Sequence, residues 1–310
     1  MEGHLATGAC SNYLKDKGHM MKLIFIFTTL INLAVVSACT SHKHSGSQIN
    51  QSDYLGQKPP GTTPQAFAPG LVTTQNYEYG GVFSPDLNEF YFISTNEESK
   101  QQEVIVFRKE ADSWARSVFS RRRGQHLFAP DGKTMYLGKK YLERTEAGGW
   151  SELKRLGSPF EDMPIMRLSS SSNQTLYFDE FRPDLTGSIR YSRKVNGVYE
   201  EPRLLNEAIN SGQSFHPFIA PDESFIIFDS KREGGYGDSD LYISYRLQDG
   251  SWGEAINLGD KINTDAWEAA ASVTSDGKYL FFNRNMGSKN YENVDIFWVD
   301  ARFIEDLRPR

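Results

Sequence analysis

The chain has 310 residues, with 34 Lys and Arg against 40 Asp and Glu, a formal charge of −6. That balance argues against a protein living on nucleic acid phosphates, where basic stripes are expected. A hydrophobic fraction of 38% with 24% charged residues is globular, and excludes a coiled coil, a polytopic membrane protein and a collagen-like chain. Twenty Phe, 15 Tyr and 5 Trp alongside 26 Gly and 13 Pro suit many short strands joined by tight turns.

One apolar run is long enough to interest a membrane, Leu23 to Ala38, preceded by Met20, Met21 and Lys22. A positive start, a short apolar stretch and small residues before a cut make a secretory signal, too short for a stable spanning helix. Its end, Val36-Ser37-Ala38-Cys39, resembles the lipobox of bacterial lipoproteins. The resemblance implies cleavage before Cys39 and a lipid on its thiol, placing the chain in the bacterial cell envelope, anchored in the outer membrane and facing the periplasm. The alternative is an ordinary signal followed by a chance Cys. Residues 1–19 are polar and read as lying upstream of a better start. Residues 20–38 form the signal, and 39–61 a Ser-, His- and Pro-rich tether. His42 and His44 in that tether read as linker rather than metal ligands. With Cys39 lipidated and Cys10 removed, no intramolecular disulfide is expected.

Residues 62–310 are expected to form one domain built on a repeat. Five segments share a strand, a Ser/Ala-Pro-Asp-type turn and an aromatic-rich strand, with turn positions at Asp86, Asp131, Ser172, Asp222 and Asp276. Pro sets the first turn dihedral and Asp bonds its own backbone, so each pair reverses the chain into a hairpin. A second mark follows in four units: Asp112-Ser113-Trp114, Gly148-Gly149-Trp150, Asn196-Gly197-Val198-Tyr199 and Asp249-Gly250-Ser251-Trp252. Two hairpins per unit make a four-stranded antiparallel sheet, and sheets repeated radially make an all-β propeller. Five blades are predicted, six being the alternative. The last unit lacks an outer strand, and the segment around Ala66–Val72 lacks a unit. The N-terminal strand is therefore expected to close the ring and remove both exposed edges.

The Pro-Asp turns, with the stretch Glu233 to Ser244 and the run from Trp252 to Asn263, resemble the TolB-type, WD40-like propeller repeat of bacterial envelope proteins. The resemblance covers about Tyr54 to Arg310 and implies fold more than function. TolB has an additional N-terminal α/β domain that this chain lacks room for, so the contacts of that domain do not transfer. Units two and three depart from the pattern, through Arg121-Arg122-Arg123 and through Ser169 to Ser172.

Counting back six to eight residues from each turn, and taking in an immediate neighbour in two units, places Glu78, Gln125 and His126, Met166, His216, and Trp267 with Glu268 near one mouth of the channel. Acid, imidazole and indole in one concave place suit a sugar or peptide. Glu78, His126, His216, Trp267 and Glu268 are therefore the candidate ligand-binding residues. The competing reading is that they cap backbone groups where the inner strands begin. The Arg121–Arg123 run reads as a solvated loop, or as a patch for acidic glycan or lipid head groups. No metal site, cofactor or catalytic set is assigned. The expected role is a lipid-anchored binding or scaffolding module for an envelope protein or glycan. The alternative is a propeller hydrolase, lyase or lactonase acting on a carbohydrate-like substrate.

Overall fold

The Asp turns form as the sequence suggests: Asn88, Lys133, Ser224 and Lys278 donate their backbone N–H to Oδ1 of Asp86, Asp131, Asp222 and Asp276 at 3.1, 2.9, 3.0 and 3.2 Å. The computed structural model describes residues 49–50 and 53–310, apart from Asp112, Leu185 and Thr186. Cys39, the signal and most of the tether lie outside the described residues. Five antiparallel sheets of four strands, the first extended by one more, form the five blades of a β-propeller. Blade 1 runs through Glu78–Phe83, Glu89–Thr95, Gln102–Glu110 and Ser113–Arg121. Blade 2 comprises His126–Phe128, Thr134–Leu137, Lys140–Glu143 and Lys154–Arg155. Blade 3 comprises Ile165–Ser170, Leu176–Glu180, Ile189–Ser192 and Arg203–Leu204. Blade 4 comprises Gln213–Ile219, Phe225–Lys231, Asp240–Tyr245 and Ile256–Asn257.

Blade 5 has three strands of its own, Glu268–Val273, Tyr279–Asn285 and Val294–Asp300, and takes its outer strand from the N-terminal Gln65–Ala66. Gln65 pairs with Trp298 and Ala66 with Phe297, and the Phe67 N–H continues the ladder to the Ile296 carbonyl at 2.8 Å. The expected closure is therefore present. Pairing ends at Phe67, because residues 68–73 turn back on themselves through Leu71 and Val72 N–H bonds to Ala68.

The closing strand brings a side chain that locks the seam. Phe67 is fully buried, with ring centroids 4.7 Å from Phe90, 4.9 Å from Phe281 and 5.1 Å from Trp298. Blades 5 and 1 thus share an aromatic core that also takes in Phe83 and Trp114. Burial on this scale is the main favourable term holding a domain without cross-links.

The fold reaches further toward the N-terminus than the boundary expected at residue 62. Ile49–Asn50 pairs with Trp114 and Ser113 as a fifth strand on blade 1. Tyr54 and Leu55 are 8% and 2% exposed within the seam core, and Lys109 holds Asp53 at 2.9 Å. Gln57 donates to the Ala66 carbonyl and accepts from the Ala68 N–H. Tether-like composition concealed this because two apolar side chains suffice to dock it.

Blade 3 departs where its turn does. The Ser171 N–H bonds the Thr175 carbonyl, one residue sooner than the equivalent Ser84 to Glu89 and Ala220 to Phe225 bonds. Its missing Asp is replaced by Glu223 of blade 4, which accepts from the Ser171 hydroxyl at 2.8 Å.

Candidate functional site

Four of the five inner strands carry a bulge, where pairing slips between Tyr79 and Val82, Ile165 and Leu168, Phe215 and Phe218, and Ala269 and Ser272. Gly80, His216 and Ala270 sit at these bulges in the left-handed region, with φ of 71, 50 and 54°. A bulge frees a backbone N–H and re-aims the side chain. The freed groups are captured by the second strand of the preceding blade. Gly80 N–H donates to Asn283 Oδ1 at 2.8 Å, His216 N–H to Asp179 Oδ2 at 2.9 Å, and Ala270 N–H to Asp229 Oδ1 at 2.9 Å. Asn283, Asp179 and Asp229 occupy one equivalent position, so three blade junctions share one polar latch.

At blade 4 the latch does more. His216 Nδ1 lies 2.9 and 3.0 Å from the two Asp229 oxygens, and both side chains are buried. This pairing assigns the ring proton to Nδ1 and leaves Nε2 as an acceptor. Nε2 makes no hydrogen bond among the described residues, and His216 lines a cavity. Beneath it Arg167, only 2% exposed, sends Nη1 and Nη2 to the Ala270 and Ala271 carbonyls at 2.9 and 2.8 Å. Blades 3 and 5 are not neighbours, so this side chain crosses the channel and closes it. Burial pulls the Arg167 guanidinium below its ordinary pKa and pushes the Asp179 carboxyl above its own, against the backbone N–H bonds it accepts from Arg167 and His216.

The cavity that His216 lines measures about 470 Å³. Its walls are Tyr77, Tyr79, Trp267, Tyr291, Phe181 and Phe215, with Met166 and Val294; its polar groups are Arg122, Gln125, Gln213, His216, Asp229, Lys231, Asp238 and Ser239. Tyr77, Tyr79 and Trp267 stand nearly parallel, each pair inclined by 17° at 5.8 and 6.2 Å. The Tyr79 hydroxyl donates to Gln125 Oε1 at 3.2 Å, and burial raises its pKa well above the ordinary value. Arg122 lies 5.9 Å over the Tyr79 ring and donates to the Gln102 amide oxygen.

Of the five residues expected here, the structure brings His216 and Trp267 to the cavity and leaves three out of its lining. Glu78 accepts from the Thr74 hydroxyl and N–H at 2.7 and 3.1 Å; Glu268 does the same with Thr264 at 2.6 and 3.0 Å and pairs with Arg284. The two carboxylates cap the loops that lead into the inner strands. Strand alternation would put Glu268 on the same side as Ala270, but the bulge breaks that alternation. Burial raises the Glu78 pKa while its Thr74 bonds oppose the rise. His126 is buried, with neither ring nitrogen bonded among the described residues, and burial lowers its pKa to about 4.

Sequence reasoning missed Asp229 and Arg167, and held Arg122 only as part of a basic run read as a solvated loop or a patch for acidic glycan or lipid head groups. Asp229 follows its turn Asp by seven residues, and Asp179 and Asn283 stand at the equivalent places in blades 3 and 5, a signal present in the repeat. Arg167 was hidden by the short blade 3 turn, which moves the count from Met166 to its neighbour. On the opposite face Glu89 is held between Arg108 and Arg144, a hollow whose charges satisfy one another. Among the described residues no three His, Cys, Asp or Glu gather as a metal site.

No family model and no curated protein matches the chain. Solved structures similar to it include TolB from Acinetobacter baumannii, at 12% identity and a TM-score of 0.43 over 73% of this chain and 57% of that one. The chain thus spans little more than half of that protein. An endo-arabinase from Bacteroides thetaiotaomicron is similar at 12% identity and a TM-score of 0.46, over 77% of this chain and 96% of that one. A gluconolactonase from Xanthomonas campestris is similar at 12% identity and a TM-score of 0.41, over 82% and 97%.

Proposed function

We propose that this chain is an exported envelope propeller, held to the outer membrane by a lipid on Cys39, that binds a glycan at the mouth of its channel. The observation that carries the reading is the cavity itself: an aromatic-walled hollow with a few convergent polar groups. Sites of roughly 300–1,000 Å³ with this mixture suit small ligands and the ends of chains. Flat rings take the apolar face of a sugar, while Gln125, Gln213 and His216 supply hydrogen-bonding groups for its hydroxyls.

The rim supports the same reading. Loops joining the second and third strands stand on this face, and those of blades 3, 4 and 5, residues 181–188, 232–239 and 286–293, are longer than residues 138–139 of blade 2. They carry Phe181, Tyr236, Met286 and Tyr291, each 42–50% exposed. Exposed aromatic groups concentrated on one face mark a binding surface.

The test is retention of the full chain on immobilised envelope polysaccharide, with Trp267→Ala as the variant. Retention by the native protein and at least a several-fold loss in the variant is the expected result. Equal retention of both, or recovery of a protein partner indifferent to Trp267, would replace the glycan reading.

A second reading draws on the His216–Asp229 pair. A carboxylate that fixes an imidazole with Nε2 toward a cavity is the arrangement of a general base. It would make the chain a hydrolase, lyase or lactonase acting on the same ligand. Release of shortened or opened products that disappears in His216→Ala is its test.

A further inference from the structure

We infer that the cavity selects an acidic saccharide, a uronic-acid-type sugar whose carboxylate meets Arg122. The inference rests on the glycan reading above and concerns its charge.

The argument is one of charge accounting within the cavity. Its carboxylates are already committed: Asp229 accepts from His216 and from the Ala270 N–H, and Asp238 faces Lys231 at 3.3 Å on the rim. Arg122 has no such partner. It comes from the Arg121–Arg123 run that enters blade 2, lies over the Tyr79 ring and donates to the neutral Gln102 amide. No carboxylate among the described residues pairs with it. A guanidinium in that position has donors to spare, in a planar fork that matches a carboxylate.

The remaining groups fit the rest of such a sugar. With its proton on Nδ1, His216 offers Nε2 as an acceptor to a hydroxyl. Tyr79 and Trp267, nearly parallel, offer apolar surface to a pyranose face. A neutral sugar would satisfy these groups equally well but bring Arg122 no opposite charge.

The overall charge of −6 does not decide against an anion. At physiological salt, charges more than about 8 Å apart are largely screened, so a ligand seated in the cavity responds to the charges lining it.

Calorimetric titration of the full-length protein in detergent tests the inference, with trigalacturonate against the neutral galactose trimer as probes. We expect the acidic trimer to bind about tenfold more tightly than the neutral one, as a charge-assisted bond implies. Arg122→Gln should abolish that preference, and Arg122→Lys should restore part of it. Trp267→Ala should weaken both. Equal affinity for the two trimers, or a preference that survives Arg122→Gln in a protein melting like the native one, overturns the acidic assignment and leaves the glycan reading standing. Failure of both trimers to bind, while polysaccharide retention persists, also overturns it. Loss of retention as well overturns the glycan reading itself.

Discussion

Asp229 does two jobs with one carboxylate, bonding the Ala270 backbone and fixing the His216 ring. Asp229→Ala leaves a buried N–H and a buried imidazole nitrogen unsatisfied, and should cost on the order of 2–4 kcal/mol in a denaturant titration. Asp229→Asn is gentler and more informative. The amide oxygen can keep the Ala270 bond, so its NH2 group faces Nδ1 and the ring proton must move to Nε2. The ring-nitrogen NMR shifts should exchange, with melting little changed; unexchanged shifts would refute the assigned tautomer. His126 gives a separate, pH-dependent signal. Its folded pKa of about 4 lies below the ordinary 6.5, so the unfolded chain takes up the proton first as pH falls. Stability is therefore full above pH 6.5 and is lost as pH falls toward 4, at up to about 1.4 kcal/mol per pH unit. His126→Leu should flatten that slope and leave stability at pH 7.5 almost unchanged. A slope identical to the native one would show that His126 does not carry it.

Among the elements, the closing strand carries the clearest consequence. Phe67→Ala removes a fully buried ring from the seam between blades 5 and 1, and should cost about 3–5 kcal/mol and lower the melting temperature by on the order of 10 °C. Deleting residues 62–73 should expose the edge of blade 5 and cause aggregation; a monomer of native stability would refute closure. Turns and closure were legible because their causes are local or countable. Asp86, Asp131, Asp222 and Asp276 bond residues two positions on, and the unit without an outer strand required a donor. Glu78 and Glu268 were legible as residues where inner strands begin, but their direction depends on the bulge, which no alternation pattern reveals. Arg167 was concealed by a turn one residue short. Arg122 read as part of a solvated loop or an acidic-ligand patch, and its placement over Tyr79 could not be told from sequence because it depends on how two blades meet.

For the molecule as a whole, membrane attachment through Cys39 is the expectation drawn from its resemblance to a lipobox. No helix among the described residues is long and apolar enough to cross a bilayer. Cys39→Ser should shift the mature protein from the membrane pellet to the soluble fraction after a high-salt wash, and persistence in the pellet would rule the anchor out. The N-terminal segment binds both sides of the seam, first blade 1 through Ile49–Asn50 and then blade 5 through Gln65–Ala66. This order has a mechanical meaning. A pull applied at the N-terminal end of this segment meets the two-residue pairing on blade 1 first, then the Asp53–Lys109 ion pair, then the buried Tyr54 and Leu55. Only after these have yielded does load reach the strand that keeps the ring shut. The weakest contacts stand in series ahead of the strongest, so the segment can give way by stages and slacken under tension while the propeller stays whole.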